Sequence, residues 1–173
     1  MGRAADARER VRQFMAEQAL PLDPLPLYMQ VLEWTAFAEI YLSAARALET
    51  GAELEHLYPK TQITGHAIEC ALKACIAAHG ATVPQIHDLV DLADRVLELG
   101  IKLSDIDLTC IVNLNREYYR DPVTATKFKA RYPAEDGGFR FRPPPVMLAG
   151  EVVRNLLDHA KRENDARNRL ASP

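Results

Sequence analysis

The sequence predicts an all-α protein, an antiparallel up-and-down helical bundle of about five helices with an N-terminal arm helix and a long basic loop before the last helix. Apolar residues recur at helical spacing in several long segments, and no segment alternates as a half-buried strand does. Most connections between these segments are short, which favours antiparallel neighbours. With 173 residues, the chain is long enough for one core, so we expect residues 1–173 to form a single domain.

The first two helical segments are separated by prolines. Residues 3–19 predict a short helix with Val11, Phe14 and Met15 facing inward, and we interpret residues 1–24 as an arm. Prolines at 21, 24 and 26 end this segment. Residues 25–50 then give the clearest helical pattern, which Gly51 ends. Its predicted inward positions alternate steps of four and three: Leu27, Val31, Trp34, Ala38, Tyr41, Ala45 and Leu48.

Four further helices are predicted at 59–79, 87–99, 104–120 and 145–167. Gly80 and Gly100 supply stops for the first two of these, and Ser104 with Asp107 indicates a capping arrangement for the third. Pro145 is a favourable first-turn residue for the last helix. The predicted inward residues of the last three are Leu89, Leu92, Ala93 and Val96, then Ile106, Cys110, Ile111, Leu114 and Tyr118, then Ala149, Val152, Val153, Leu156 and Ala160.

Residues 121–144 form a long connection without helical periodicity. Between Arg120 and Pro145 six basic residues accompany three acidic ones, a local charge of +3 in a chain of −3. Cations interleaved with aromatic rings suit phosphates and stacked bases, so nucleotide or RNA contact is predicted here. An equally open alternative is that these side chains cover the end of the bundle. The candidate binding residues are Lys127, Lys129, Arg131, Tyr132, Arg140 and Arg142.

The segment from His66 to Leu92 contains an AxExxLKA helix, a glycine-containing loop and an HDL helix start. Together these motifs resemble the HEPN domain family, small antiparallel helical bundles of prokaryotic defence, toxin-antitoxin-like and nucleotidyltransferase-associated systems. The resemblance implies a homodimer, a nucleotidyltransferase-type partner protein, and nucleotide or RNA as ligand. From the residues themselves, Glu69 and Lys73 predict a surface i, i+4 pair, with a ligand groove as the alternative. His87 and Asp88 favour a helix-start role over nucleotide binding.

A second resemblance concerns Arg154, Asn155 and His159 on the last predicted helix. They resemble the R-x4-6-H motif of HEPN ribonucleases, which implies His159 as acid/base or 2′-hydroxyl positioner and Arg154 as stabiliser of the pentavalent phosphate. RNA cleavage without a metal requires a proton carrier that titrates near neutrality, which a histidine can supply, and a fixed cation that stabilises the developing charge, which an arginine can supply. The spacing alone is weak evidence, because 15 arginines and 5 histidines give roughly one such pair by chance, and the angle of about 140° between Arg154 and His159 on a helix neither supports nor excludes the motif. Chains with the LKA and HDL signatures also resemble the accessory branch that lacks this pair.

The cysteines and the N-terminal sequence bear on disulfides, metal sites and cellular location. The odd count argues against a disulfide framework, and zinc-ligand spacing is absent, so Cys70, Cys75 and Cys110 are interpreted as buried small apolar residues. We expect no metal and no cofactor, and His56, His66 and His79 have no partner pattern. No apolar stretch reaches the roughly 20 residues of a membrane span, and the charged N-terminus lacks a secretory core. A cytoplasmic location without membrane association is therefore expected.

The leading functional hypothesis is a non-catalytic HEPN-like accessory domain that binds nucleotide, RNA or a partner protein as a homodimer. One alternative is a metal-independent endoribonuclease that uses Arg154 and His159 across the dimer. The other is a purely structural interaction protein, in which the polar face of the last helix is an assembly surface.

Overall fold

The structure, a computed structural model, describes residues 25–48, 57–118 and 144–171. These residues form five α-helices and no β-strand, so the predicted all-α class is confirmed: α1 Leu27–Ala47, α2 Leu57–Ala78, α3 Leu89–Glu98, α4 Asp105–Tyr118 and α5 Val146–Ala171. The predicted arm helix at 3–19 and the basic residues at 121–143 lie outside the described part of the chain. None of the described helices is long and apolar enough to cross a bilayer.

Helix α2 occupies the centre of the bundle and contacts all four other helices. Residues 67–78 of α2 are buried without interruption, which explains why this helix has no solvated face along its second half. Helix α1 runs antiparallel to α5, because Glu39 pairs with Lys161 while Leu42 approaches Gly150, closer to the start of α5. The apolar core therefore lies around α2, with α1 and α5 against one side of it.

The buried residues of α1 follow the predicted alternating spacing of four and three residues. The face that they form is rotated around the helix relative to the predicted one. Trp34 and Tyr41 are only half-buried, and the prediction for Leu27 is wrong because 38% of it is exposed. Leu27 lies in the first turn of α1, where fewer neighbours surround the helix. The residues that face the core are Val31, Thr35, Ala38, Leu42 and Ala45.

Several helix ends follow the predicted local chemistry. Gly80 and Gly100 end α2 and α3 with φ of 76° and 81°, a left-handed conformation that glycine adopts without Cβ strain. The Ser104 amide and hydroxyl both donate to Asp107, whose own amide donates to the Ser104 hydroxyl, so the predicted capping arrangement of α4 is confirmed. Ile106 was predicted to face inward and is 62% exposed, because the first turn of α4 extends beyond the core.

Candidate functional site

One face of α5 combines an amide, an imidazole and a guanidinium at helical spacing. Asn155, His159 and Arg162 follow one another at i, i+4 and i+7, which places them within about 60° around the helix. They line a groove of about 680 Å³ between α5 and the turn that joins α3 to α4. The residues that line this α5 groove are Gly100, Ile101, Lys102, Leu103, Ser104, Asp107, Val152, Asn155, Leu156, Asp158, His159 and Arg162.

The α5 groove combines apolar and charged surface. Its buried apolar part comes from Ile101, Val152 and Leu156, whereas Lys102 and Arg162 supply two exposed cations. Two acids also line the groove: the carboxylate of Asp107 already accepts from the Ser104 amide and hydroxyl at the start of α4, whereas Asp158 is exposed. An apolar wall with a few convergent polar groups is the usual composition of a small-molecule site, and the volume lies in the usual range.

His159 is held by a second histidine from the end of α2. The Nε2 atoms of His79 and His159 are 3.0 Å apart, and the two rings are parallel within 2° with centroids 5.3 Å apart. With so short a contact between nitrogens, this centroid separation means that the rings meet edge to edge. One Nε2 therefore donates a proton to the other, and the two imidazoles take opposite tautomers when both are neutral.

The pKa of His159 is lowered from its usual value. Burial is the main cause, and the nearby His79 and Arg162 act in the same direction, whereas Glu163 opposes them. His159 is therefore uncharged at neutral pH. No role could be assigned to His79 from the sequence, because the two histidines are 80 positions apart and only the packing of α2 against α5 brings them together.

The structure separates the three candidate catalytic residues. Asn155 and His159 both line the α5 groove, but Arg154 is exposed and does not line it. Among the described residues no hydrogen bond or ion pair joins Arg154 to His159. Of the two cations that line the groove, Arg162 lies one turn after His159 on α5, and it was not singled out from the sequence. Its i+7 spacing from Asn155 is the sequence signal that could have identified it.

A second polar cluster lies inside the bundle around Glu69 of α2. Lys73 donates to Glu69 Oε1 at 2.7 Å, and the Tyr118 hydroxyl donates to Oε2 at 2.5 Å. Glu69 and Lys73 are each only 4% exposed, so the predicted surface pair is a buried one and that interpretation is wrong. The Lys73 ammonium also lies 5.0 Å from the centre of the Trp34 ring, which adds a cation–π contact.

Two histidines extend this Glu69 cluster toward the surface. His87 Nδ1 lies 3.0 Å from Glu69 Oε1, and His66 Nδ1 lies 2.8 Å from the Tyr118 hydroxyl. Because that hydroxyl donates to Glu69, it must accept from His66 Nδ1, which fixes the neutral tautomer with the proton on that nitrogen. Gln62 can then donate to His66 Nε2 across 3.1 Å. His66 and His87 thus have partners that the sequence did not indicate.

The Glu69 carboxylate is stabilised in its charged form. Burial by itself would raise its pKa, but hydrogen bonds from His66, Lys73 and Tyr118 and the charge of Lys73 outweigh burial and lower the pKa from 4.5 to about 2. The cluster connects α2 with α4 and with the loop before α3. It has the properties of a structural ion pair rather than of an open binding site, since its two central charges are out of solvent.

Of the other residues singled out from the sequence, Asp88 and the cysteines have structural roles, and those of the basic loop lie outside the described residues. Asp88 caps α3 by accepting from the amides of Val90 and Asp91, which confirms its helix-start role. Cys70, Cys75 and Cys110 are free and buried, as predicted, and burial raises the pKa of each thiol to about 12. All six candidate binding residues of the basic loop lie outside the described residues: Lys127, Lys129, Arg131, Tyr132, Arg140 and Arg142.

Comparison with known proteins gives one family match. Residues 31–162 match the family model of the HEPN domain. This span is more than half of the chain and includes all of α2, α3 and α4 together with the groove residues of α5. No curated protein and no solved structure shows a significant match to the chain.

Proposed function

Because this chain belongs to the HEPN family, we propose that it is a non-catalytic HEPN domain that binds a nucleotide or a short stretch of RNA in the α5 groove. The observation that carries this proposal is the convergence of Asn155, His159 and Arg162 on one groove, with Lys102 across from them. These groups offer hydrogen bonds and positive charge together, which a phosphate-bearing ligand requires.

The groove offers a separate environment for each part of such a ligand. The apolar wall of Ile101 and Leu156 is suited to the face of a base, and Asn155 can both donate to and accept from a base edge. Arg162 can bind a phosphate through two parallel N–H groups, and Lys102 can add a point charge. Directly before α5 in the chain, the basic residues of 121–144 would supply further cations for a longer RNA.

The absence of catalysis in this proposal rests on the positions of Arg154 and His159. A cation that stabilises the developing charge must reach the same phosphate as the acid/base group. Arg154 lies outside the groove that contains His159, and His159 Nε2 is already engaged by His79. A neutral, hydrogen-bonded His159 is suited to recognising a ligand.

The proposal includes a homodimer in which two α5 surfaces face each other. Arg154 is exposed on the same helix, and only the ribonuclease alternative requires it to reach His159 of the other subunit. The proposal also includes a partner protein of the nucleotidyltransferase type, and its only support is membership of the HEPN family. Light scattering coupled to size-exclusion chromatography tests the dimer. A monomer at tens of micromolar protein would reject the homodimer without affecting the proposed ligand binding in the α5 groove.

Arg162→Ala should weaken the binding of a fluorescent single-stranded oligoribonucleotide by about tenfold, the scale of one lost charge-assisted hydrogen bond. It should also reduce the slope of log affinity against log salt by about 0.7, the value for one phosphate contact on a single strand. Fluorescence anisotropy at several salt concentrations measures both. The matched control is Lys161→Ala, which removes a neighbouring cation whose ammonium contacts Glu39 rather than the groove.

Equal losses for Arg162→Ala and Lys161→Ala would contradict a localised site and would indicate general attraction to the charged surface. Absence of binding by the wild-type protein at low salt would reject the proposed function. A mononucleotide that competes with the oligoribonucleotide would identify a single-nucleotide site, whereas competition only by longer RNA would assign the extended ligand.

A second candidate function is a metal-independent endoribonuclease, which one observation favours. The lowered pKa of His159 leaves its imidazole neutral at physiological pH, the form that a general base needs. Incubation of RNA with the protein in EDTA, beside the His159→Ala variant, tests this candidate. Cleavage by the wild-type protein that the variant loses would establish the ribonuclease, and intact RNA in both would reject it.

A further inference from the structure

The outer face of α1 exposes an unusual amount of apolar surface. Seven of the twelve large apolar side chains that are exposed in the described residues belong to α1 or to Leu25 just before it. At the centre of this surface, Leu32 is 55% and Ile40 60% exposed. We define the apolar stripe as five residues spaced by four, three, four and four positions: Leu25, Met29, Leu32, Ala36 and Ile40.

This apolar stripe lies on the side of α1 that faces away from the core. The centre of the buried face, formed by Val31, Thr35, Ala38, Leu42 and Ala45, is about 140° around the helix from the centre of the stripe. Glu33 and Glu39 border the stripe on its two sides, so its edges are acidic. Contiguous apolar surface with a charged rim is typical of a contact surface.

Residues 3–19 have the pattern of a helix that would fit this stripe. As a helix they would be about 26 Å long, against about 22 Å from Leu25 to Ile40. The arginines at 3, 10 and 12 would border the apolar arc, while the acids at 6, 9 and 17 would lie on its far side. An arc of about 140° would contain eight residues, of which Arg8 and Gln18 are polar and six are apolar: Ala4, Ala7, Val11, Phe14, Met15 and Ala19.

The connection between the two segments favours an occupant from the same chain. Only residues 20–24 separate residue 19 from the start of the stripe at Leu25, and this connection contains Pro21 and Pro24, which prevent one continuous helix. A tether this short gives an effective concentration of the order of millimolar, well above that of a second copy in solution. Short connections between helices also favour antiparallel packing.

We propose that residues 3–19 form a helix that packs antiparallel on the apolar stripe of α1 and completes the bundle from outside. Its small residues allow close approach to Leu32 and Ile40, and its bordering arginines face Glu33 on one edge, whereas Glu39 on the other edge pairs with Lys161. The interaction is intramolecular and is independent of the α5 groove. It assigns the exposed apolar surface of α1 to this chain rather than to a partner.

Hydrogen exchange measured by mass spectrometry on the 173-residue chain tests this proposal. Amides of residues 7–16 should exchange at least about tenfold more slowly than an unstructured peptide, at every protein concentration from about 1 to about 50 µM. Leu32→Glu should abolish that protection, since it places an acid in the centre of the stripe. The matched control is Ile106→Glu, which introduces the same charge at another exposed apolar side chain on α4.

Ile40→Glu serves as an independent variant, and unchanged protection of α2 amides verifies that each variant is folded. Exchange of residues 7–16 at the unstructured rate in the wild-type protein would overturn the proposal. Protection that appears only at the higher protein concentrations would assign the stripe to a second copy instead. Protection that survives both Leu32→Glu and Ile40→Glu would show that residues 3–19 dock elsewhere.

Discussion

Glu69→Gln should lower the free energy of unfolding by about 3–5 kcal/mol, because it leaves the buried Lys73 ammonium without a counter-charge. Lys73 is 4% exposed, and its ammonium lies 2.7 Å from Glu69 Oε1. The substitution preserves volume and shape, so the lost charge dominates the effect. Chemical denaturation followed by circular dichroism at neutral pH measures it.

The matched control for this prediction is Glu39→Gln at the exposed pair with Lys161. That pair has a similar distance, 2.9 Å, but its side chains are 51% and 56% exposed. Its loss should therefore cost less than about 1 kcal/mol. A second variant, Glu69→Gln with Lys73→Met, should regain a large part of the lost stability, because it removes the unpaired charge. Equal costs at Glu69 and Glu39 would contradict the structural role of the buried pair.

The same carboxylate gives the wild-type protein a specific acid response. The pKa of Glu69 in the folded state is about 2, below its ordinary value of 4.5, so the folded state binds fewer protons between these values. Its contribution to stability is complete above pH 4.5 and is lost as the pH falls toward 2. The stability of Glu69→Gln should therefore fall less steeply than that of the wild type within this window.

Gly65→Ala should destabilise the fold by about 2–4 kcal/mol, through overpacking and the loss of buried hydrogen bonds. A Cβ at Gly65 would lie within 2.8 Å of three carbons of the Tyr118 ring. The ring cannot move away freely, because its hydroxyl contacts both His66 and Glu69. Thermal and chemical denaturation measure the change.

Gly150→Ala is the control for this second prediction, since Gly150 is also a helical glycine. Its added Cβ would meet the flexible end of Arg46 at 3.1 Å and Leu42 at 3.4 Å. The gain in helix propensity, about 1 kcal/mol, should offset this contact and keep the variant within about 1 kcal/mol of the wild type. If both alanine variants were equally stable, the close packing of Tyr118 over Gly65 would be contradicted.

The helices and most of their inward faces could be predicted from the sequence. Local signals suffice for this: the apolar period of α5, the glycines at 80 and 100, and the Ser104 and Asp107 pair each act within one or two turns. The two largest errors occur at helix ends. Leu27 and Ile106 continue the apolar pattern of their helices, but the core ends before either position is covered.

The candidate site was only partly predictable, because its essential contacts join distant parts of the chain. The sequence identified Asn155 and His159, which share the α5 groove, and Arg154, which does not. It could not identify His79 as the partner of His159 across 80 positions. For the same reason Glu69 and Lys73 matched the pattern of a surface pair, although α4 covers them through Tyr118.

The binding of RNA at the α5 groove without cleavage is tested most directly by histidine side-chain NMR during titration with an oligoribonucleotide in EDTA. Binding in the groove should give saturable shifts of the His159 and His79 imidazole signals and unchanged signals of His66 and His87, with the RNA intact at the end. Binding that leaves His159 and His79 unperturbed, or shortened RNA in the same sample, would contradict this prediction.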